Sequence, residues 1–507
     1  PGESRYLVDE KMHLAKHVPL GELIFLDRER CIQCGRCVRF QTNLAEDPVI
    51  GFYQRGRSLQ IVTYSEPGFD SVFSGNTTDI CPVGALTTAD FRFGARPWEM
   101  TATASICPHC AVGCNLTFNV RREARSGGEI VIKRALPRQN EAVNEIWMCD
   151  KGRFGYHFAE SNKRLREPLV RMEGELVPAS WDVALALVAQ SFKEEGRGLL
   201  ALGSGRLSNE DLFNLKSLAS GLGGKAALYT QQGGGDLVAQ AGVGNDTNLG
   251  ELGKGTAILV IASDLEQEAP IWWLRVKQAA QRGAALIVAN PRPTKTDRHA
   301  SITLRYAYGS EADTIQALIN AMPGKSKAPT SAEFAIAASS MAQAENLIVL
   351  YGSEGLGLEG SAALAQACTN LLVASGHTGR ANNGLISIWS KPNDQGAWEM
   401  GLRPLPDLAE AIRQAKALYI AGADPVGDDP SLAEAMKTSG FLVVQELFLS
   451  ETARLADVVL PALPFSERDG SYTSGERRVQ RFYPATLPRG EARPDYTITG
   501  QIAKLAG

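Results

Sequence analysis

The chain has 507 residues, 44% of them hydrophobic and 21% charged, with a formal net charge of -4. That length exceeds one ordinary hydrophobic core, so two or three domains are expected, and the composition excludes a disordered or collagen-like chain. Scattered Lys and Arg on a near-neutral chain leave no electrostatic footprint for nucleic acid or an anionic membrane surface, so neither is expected as a partner.

The longest apolar runs, "AILVIA" (257–262) and "ALIVA" (285–289), are far shorter than the roughly 20 residues that span a bilayer. They read as buried strands. No charged-then-apolar leader opens the chain, so no signal peptide, transmembrane segment or direct membrane insertion is expected. Eight of the nine cysteines fall in the first 149 residues, in tight groups. That is unlike an extracellular disulfide framework, and a reducing cytoplasm is expected.

Near the start, His13 and His17 in "HLAKH" read as one turn of an exposed helix face with no third partner for a metal. Next comes "DRERCIQCGRCVRF" (27–40), with Cys31, Cys34 and Cys37. The C-x2-C-x2-C spacing lets one tight loop aim successive sulfurs at one inorganic core and is that of bacterial-type iron–sulfur sites. The following cysteine is Cys81, in "DICPVGAL", and Cys-Pro is how such sites commonly end. Closing the long loop costs about 3 kcal/mol more than closing a two-residue one, against on the order of 10 kcal/mol available from a structural metal site. Cys31, Cys34, Cys37 and Cys81 are therefore assigned to one [4Fe–4S] centre, with zinc or free thiols as the alternatives.

A second set follows in "ICPHCAVGCN" and "MCDKGRFGY": Cys107, Cys110, Cys114 and Cys149. Alone it would suit zinc; beside an iron–sulfur site it reads as a second cluster. His109 is expected to pack or hydrogen-bond beside this set rather than ligate. Lys151 and Arg153 are expected to offset the cluster's negative charge and donate hydrogen bonds to it.

From about residue 196, apolar runs alternate with amphipathic stretches, which predicts an α/β region with mostly parallel sheets. Ser208 and Asp211 form a capping box opening its first helix. The segments 258–270 and 418–430 share a plan of strand, small residues, Asp264 or Asp424, then an acidic turn with Pro, which suggests two similar α/β units. The Gly-rich turns at 203–206 and 351–357 match neither dinucleotide fingerprint nor P-loop and read as tight turns. Cys368 reads as a small buried apolar residue. No carboxylate pair, Ser/His/Asp set or reactive-cysteine arrangement stands out, so catalytic residues are expected to be none and the signal is electron transfer.

Five blocks in order, "LDRERCIQCGRCVRF" (26–40), "FSGNTTDICPVGALT" (73–87), "ARPWEM" (95–100), "VNEIWMCDKGRFGY" (143–156) and "SETARLADVVLPALPFSERDGSYTSGERRVQRFYPA" (450–485), resemble the large, G-type iron–sulfur subunit of NADH:quinone oxidoreductase, respiratory complex I. The last block resembles a segment shared with the wider molybdopterin oxidoreductases. The resemblance implies a ferredoxin-like iron–sulfur region at 1–100, a second [4Fe–4S] domain at 101–160, and a molybdopterin-oxidoreductase-like α/β region at 161–507 without molybdenum. It implies that the first cysteine set lies on the route from flavin towards quinone and the second holds an extra cluster off that route. A [2Fe–2S] centre and a His/Cys3-ligated [4Fe–4S] centre are expected only in a part preceding Pro1, and the family also runs on past Gly507. The implied partners are the flavin/NADH-binding subunit, the [2Fe–2S] subunit and the quinone-module iron–sulfur subunits. The implied place is peripheral, on the cytoplasmic side of the inner (plasma) membrane. The alternative is a molybdenum- or tungsten-pterin oxidoreductase such as a formate dehydrogenase alpha subunit. Against it, no cysteine stands between Cys149 and Cys368 to hold the metal, although a Ser or Asp ligand remains open.

Overall fold

The computed structural model describes residues 13–66, 68–124, 127–244, 246–324 and 331–507. Strands Val18–Pro19, Ile24–Leu26 and Leu86–Thr88 form a small antiparallel sheet with Ile24–Leu26 in the middle. Leu26 lies opposite Leu86, and the Asp27 N–H donates to the Ala85 carbonyl at 2.8 Å. This pairing brings the chain after residue 27 and the chain before residue 85 to the same end of the sheet. A hairpin, Ile50–Tyr53 with Gln60–Thr63, adds Ile50 and Ile61 to a core with Leu20, Ile24, Leu26 and Leu86.

The helix expected over His13 to His17 does not form. The His17 ring stacks on Phe25 with centroids 4.2 Å apart, and the chain runs extended into Val18–Pro19, as the residue before a proline prefers. His13 instead approaches Glu29 at 3.4 Å.

Strands Thr101–Ile106, Asn115–Glu123 and Glu129–Pro137 make a second antiparallel sheet. The α/β region then builds two mostly parallel sheets, as the alternating pattern predicts. Five strands run in the order Ile302–Leu304, Ala285–Ala289, Thr256–Ile261, Asn346–Tyr351, Gly384–Ser387. Every residue of Thr256–Ile261 is buried, which is why this strand reads as a continuous apolar run rather than an alternating one. The larger sheet has seven strands, in the order Glu175–Pro178, Leu169–Met172, Val458–Pro461, Phe441–Glu446, Ala417–Ala421, Leu199–Ser204, Lys225–Tyr229. Its first two strands are an antiparallel hairpin turned by Glu173 (φ 50°) and Gly174 (φ 90°), a pair of left-handed residues that suits a tight hairpin.

The seven-stranded sheet is discontinuous in sequence: Leu199–Ser204 pairs in register with Ala417–Ala421, and the five-stranded unit is inserted between them. The segments 258–270 and 418–430 therefore lie in different sheets. Each is an interior strand followed by a one-turn helix, Leu265–Glu268 and Pro425–Asp428, with Asp264 or Asp424 at the N-cap position. The capping box at Ser208 is present, with Asp211 N–H to Ser208 Oγ at 3.3 Å and Ser208 N–H to Asp211 Oδ2 at 2.7 Å. Cys368 is fully buried in helix Leu358–Ser375.

Candidate metal centres

Cys31, Cys34 and Cys37 lie where the chain leaves strand Ile24–Leu26 and enters helix Arg36–Arg39. Asp27 shapes the entry, its Oδ1 accepting from the N–H groups of Glu29 (3.1 Å) and Arg30 (3.3 Å). Gln33 (φ 57°) and Gly35 (φ 71°) are left-handed and curl the loop between the cysteines. A Cβ at Gly35 would come within 2.9 Å of the tip of the Phe52 ring, and the left-handed backbone there favours glycine. Cys81 ends helix Asn76–Ile80, and the Leu26–Leu86 pairing carries it to the loop. All four cysteines line one small cavity with Leu26 and Ile61; Cys34 is exposed and the other three are half-buried.

Cys107, Cys110 and Cys114 form the connection between strands Thr101–Ile106 and Asn115–Glu123, closed by the Cys107 N–H to the Cys114 carbonyl at 2.9 Å. Cys149 stands at the N-cap of helix Asp150–Phe154. All four are buried, 4 to 8% exposed. A Cβ at Gly152 would lie 3.3 Å from Cys107 Sγ and 3.9 Å from Cys149 Sγ, so those two sulfurs flank a bare Cα.

Burial pushes the thiols up, Cys37 to about 11 and Cys149 to about 12, and the neighbouring sulfurs push the same way. Without a bound group Cys37 and Cys149 favour the neutral thiol; a metal core would supply the positive charge that holds them as thiolates. Four thiols per set, one for each iron of a [4Fe–4S] core, fit an iron–sulfur group.

The two sets are joined by polar contacts that spacing does not announce. The Asp150 carboxylate accepts from Ser74 Oγ (2.5 Å) and the Gly75 N–H (2.8 Å), while Asn76 Nδ2 donates to the Met148 carbonyl at 2.8 Å. Ser74, Asn76 and Thr77 are fully buried polar residues just before Cys81. A polar run ahead of Cys81 is their only sequence signal.

His109 packs as expected. Its ring sits against Gly155 and edge-on to Phe158, and burial pulls it down to about 4. Lys151 is exposed near the second set and its charge favours the thiolates of Cys107, Cys110 and Cys149. Arg153 corrects the expectation: its buried guanidinium turns away to pair with Asp79 and bond the Ala135 carbonyl. The reason is geometric, because the carboxylate of Asp79 offers a bidentate partner on the helix that leads to Cys81. In the turn at 203–206 Ser204 Oγ bonds the Gly422 carbonyl, and in the turn at 351–357 Gly355 is left-handed (φ 75°).

Beside the second set, a cavity of about 520 Å³ opens at the C-terminal ends of strands Leu199–Ser204, Ala417–Ala421 and Phe441–Glu446, with His109, Lys151, Arg206, Lys391, Glu446 and Asp495 among its walls. Ligands of open α/β sheets sit at this end.

Comparison with known proteins gives three consecutive family matches. The NADH-quinone oxidoreductase subunit 3 ferredoxin-like domain matches residues 21–87, the molybdopterin oxidoreductase Fe4S4 domain residues 100–161, and molybdopterin oxidoreductase residues 164–505. The G-type subunit of NADH-quinone oxidoreductase from Streptomyces coelicolor is 32% identical, the alignment covering 94% of this chain and 61% of that protein. A G-type subunit of the same oxidoreductase from Rhizobium meliloti, the form numbered 2, is 28% identical, covering 100% and 66%. The alpha subunit of NADPH-Fe(3+) oxidoreductase from Geobacter sulfurreducens is 28% identical, covering 95% and 65%. The chain thus spans under two thirds of the length of these relatives. Acetylene hydratase from Pelobacter acetylenicus superposes with a TM-score of 0.64 at 16% identity, covering 80% of this chain and 69% of that one, a likeness of fold.

Proposed function

We propose, given that the chain belongs to the molybdopterin oxidoreductase family, that it is an electron-transfer subunit of an NADH:quinone oxidoreductase carrying two [4Fe–4S] clusters. Cys31, Cys34, Cys37 and Cys81 would hold the first, and Cys107, Cys110, Cys114 and Cys149 the second. When bound, each group supplies one-electron redox chemistry. The observation that carries the reading is that two sets of four cysteines, each split by a long stretch of chain, come together at the ends of two small sheets.

The chain's own residues position and shield. Burial of the second set keeps water from its sulfurs, while the exposed Cys34, with Ile32, Phe52, Tyr53 and Tyr64 exposed on the same small unit, leaves the first set open to exchange with a partner. That supports partners on the flavin, [2Fe–2S] and quinone-module sides. No helix among the described residues is long and apolar enough to cross a membrane; the peripheral place on the cytoplasmic side belongs to the same proposal and rests on the resemblance. The segregation of the small sheets supports domain limits of 1–100, 101–160 and 161–507.

A phosphate-bearing pterin cofactor fits the large cavity poorly. Lys151, Arg206 and Lys391 face it, but no cysteine lines it, and the Asp495 carboxylate in its wall already accepts from Gln445 Nε2 (2.6 Å) and lies 3.6 Å from the Arg468 guanidinium. The helix N-termini at this end of the sheet, where phosphates bind, already carry the chain's own carboxylates: Asp211 in the capping box, and Asp424, which accepts from the Gly427 and Thr452 N–H groups. These features support a pterin-free α/β region and disfavour the formate-dehydrogenase alternative.

Low-temperature EPR of the reduced protein tests the assignment. Cys81→Ser and Cys149→Ser should each abolish or alter a different [4Fe–4S] signal, with about eight irons per unmodified chain by the four-per-cluster count. Identical spectra for both variants and the parent would refute it, as would bound molybdenum with pterin.

A further inference from the structure

We propose that Lys277 and Lys295, both from the α/β region, are positioning residues for the first cysteine set, clamping the end of the helical segment that carries Cys37 and fixing buried charge at that end. This rests on the reading of Cys31, Cys34, Cys37 and Cys81 as cluster ligands.

Helix Arg36–Arg39, which holds Cys37, runs directly into the π-helical turn Phe40–Leu44. The last carbonyls of a helix lack backbone donors and carry its negative dipole end. Here lysines satisfy them. Lys277 Nζ donates to the carbonyls of Asn43 (2.9 Å) and Leu44 (2.7 Å), and Lys295 Nζ to that of Ala45 (2.8 Å). Each ammonium is also paired with the next acidic residues of the same segment: Lys277 with Glu46 at 2.9 Å, Lys295 with Asp47 at 2.5 Å and with Glu266. His299 Nε2 lies 2.7 Å from the other Glu46 oxygen, and Glu46 itself is left-handed (φ 54°). The fully buried Trp273 ring lies within 5.4 Å of one ammonium and 4.7 Å of the other.

The lysine side chains are only 4 and 10% exposed. Burying two ammonium groups is unfavourable before pairing, and apolar contact would hold two units together without that cost. What the charges add is a fixed electrostatic environment at the helix end, weakly screened because it is buried. Burial pushes Glu46 up, but its bonds from Lys277 and His299 outweigh this and leave the carboxyl below its usual range. Burial also pulls Lys277 down from the ordinary lysine range. The 2.9 Å contact between them is that of an ion pair, and we take both as charged. A thiolate-bound cluster becomes more negative on reduction, so a nearby cation favours the reduced state and a nearby anion the oxidised one. Lys277 and Glu46 therefore act on the potential with opposite signs.

The test is a redox titration of the whole chain, following the Cys81-dependent EPR signal in the parent, Lys277→Met, Lys277→Arg and Glu46→Gln, with iron content measured alongside. Lys277→Met should lower the midpoint potential, Glu46→Gln should raise it, and Lys277→Arg should stay near the parent. Shifts of one sign in both charge-removing variants, no shift at full iron content, or simple loss of iron in both would overturn the proposal. A parent chain with no Cys81-dependent signal would instead overturn the underlying ligand reading, and the clamp's redox role with it.

Discussion

Gly152 has no side chain, and Cys107 and Cys149 occupy the space one would fill. A β-branched residue there would drive into the sulfurs and also disfavour the short helix that follows Cys149. Gly152→Val is expected to remove most of the Cys149-dependent EPR signal while sparing the Cys81-dependent one, checked by comparing both signals at equal protein concentration. The neighbouring basic pair shows how far residue-level reading extends. Two cations beside a cysteine were legible, but which one faces the sulfurs was not. Asp79 captures Arg153 from 74 positions away in sequence, and nothing local marks that partner.

At the level of elements, helix Pro270–Gln281 and the short turn Lys295–His299 grip both cysteine-bearing units. Lys277 and Lys295 reach the segment after Cys37, and Arg275 pairs with Glu145, which lies four residues before Cys149. The two strand-then-Asp segments look alike in sequence and in backbone, yet their polar groups differ. Asp424 caps its own helix by accepting from the Gly427 N–H. Asp264 turns to Arg292, and Glu268 bonds back to the Asp264 N–H (2.9 Å) and Ser263 Oγ (3.0 Å).

Burial pushes Glu268 up to about 7, aided by the charges of Glu354 and Asp264 and opposed by those two hydrogen bonds. A glutamate in the unfolded chain releases its proton near about 4.3. Between about pH 4.3 and 7 the folded protein therefore binds more protons than the unfolded one, and the contribution of this group to stability falls as pH rises through that window. Glu268→Gln, which keeps the accepting oxygen, should flatten that part of the profile in urea unfolding measured from about pH 4.5 to 7.5. An unchanged slope would mean the carboxyl is ionised throughout.

Across the whole molecule, the α/β region is closed by contacts between its first and last segments. Arg164 meets Glu467 through two parallel bonds, one of 2.8 Å, with both side chains 1% exposed. Removing one partner leaves a buried charge unpaired, a loss of about 3–5 kcal/mol, whereas replacing both by apolar residues is often close to neutral. Arg164→Met should lower the urea midpoint strongly, and Arg164→Met with Glu467→Leu should recover most of the loss. Equal midpoints for the single and double variants would show that the pair is not what holds these segments.

The sequence by itself determined both cysteine sets, the alternation of strands and helices, and the capping box at Ser208. Cysteine spacing, hydrophobic period and cap chemistry are set by residues close together in the chain. Only the tertiary structure decided that strand Leu199–Ser204 pairs with Ala417–Ala421 around an inserted sheet, that Asp150 and Asn76 join the two cysteine-bearing units, and that lysines from the large region close the helix after Cys37. Those contacts join residues distant in sequence, and an ammonium, amide or carboxylate finds its partner only once packing has removed water as a competitor.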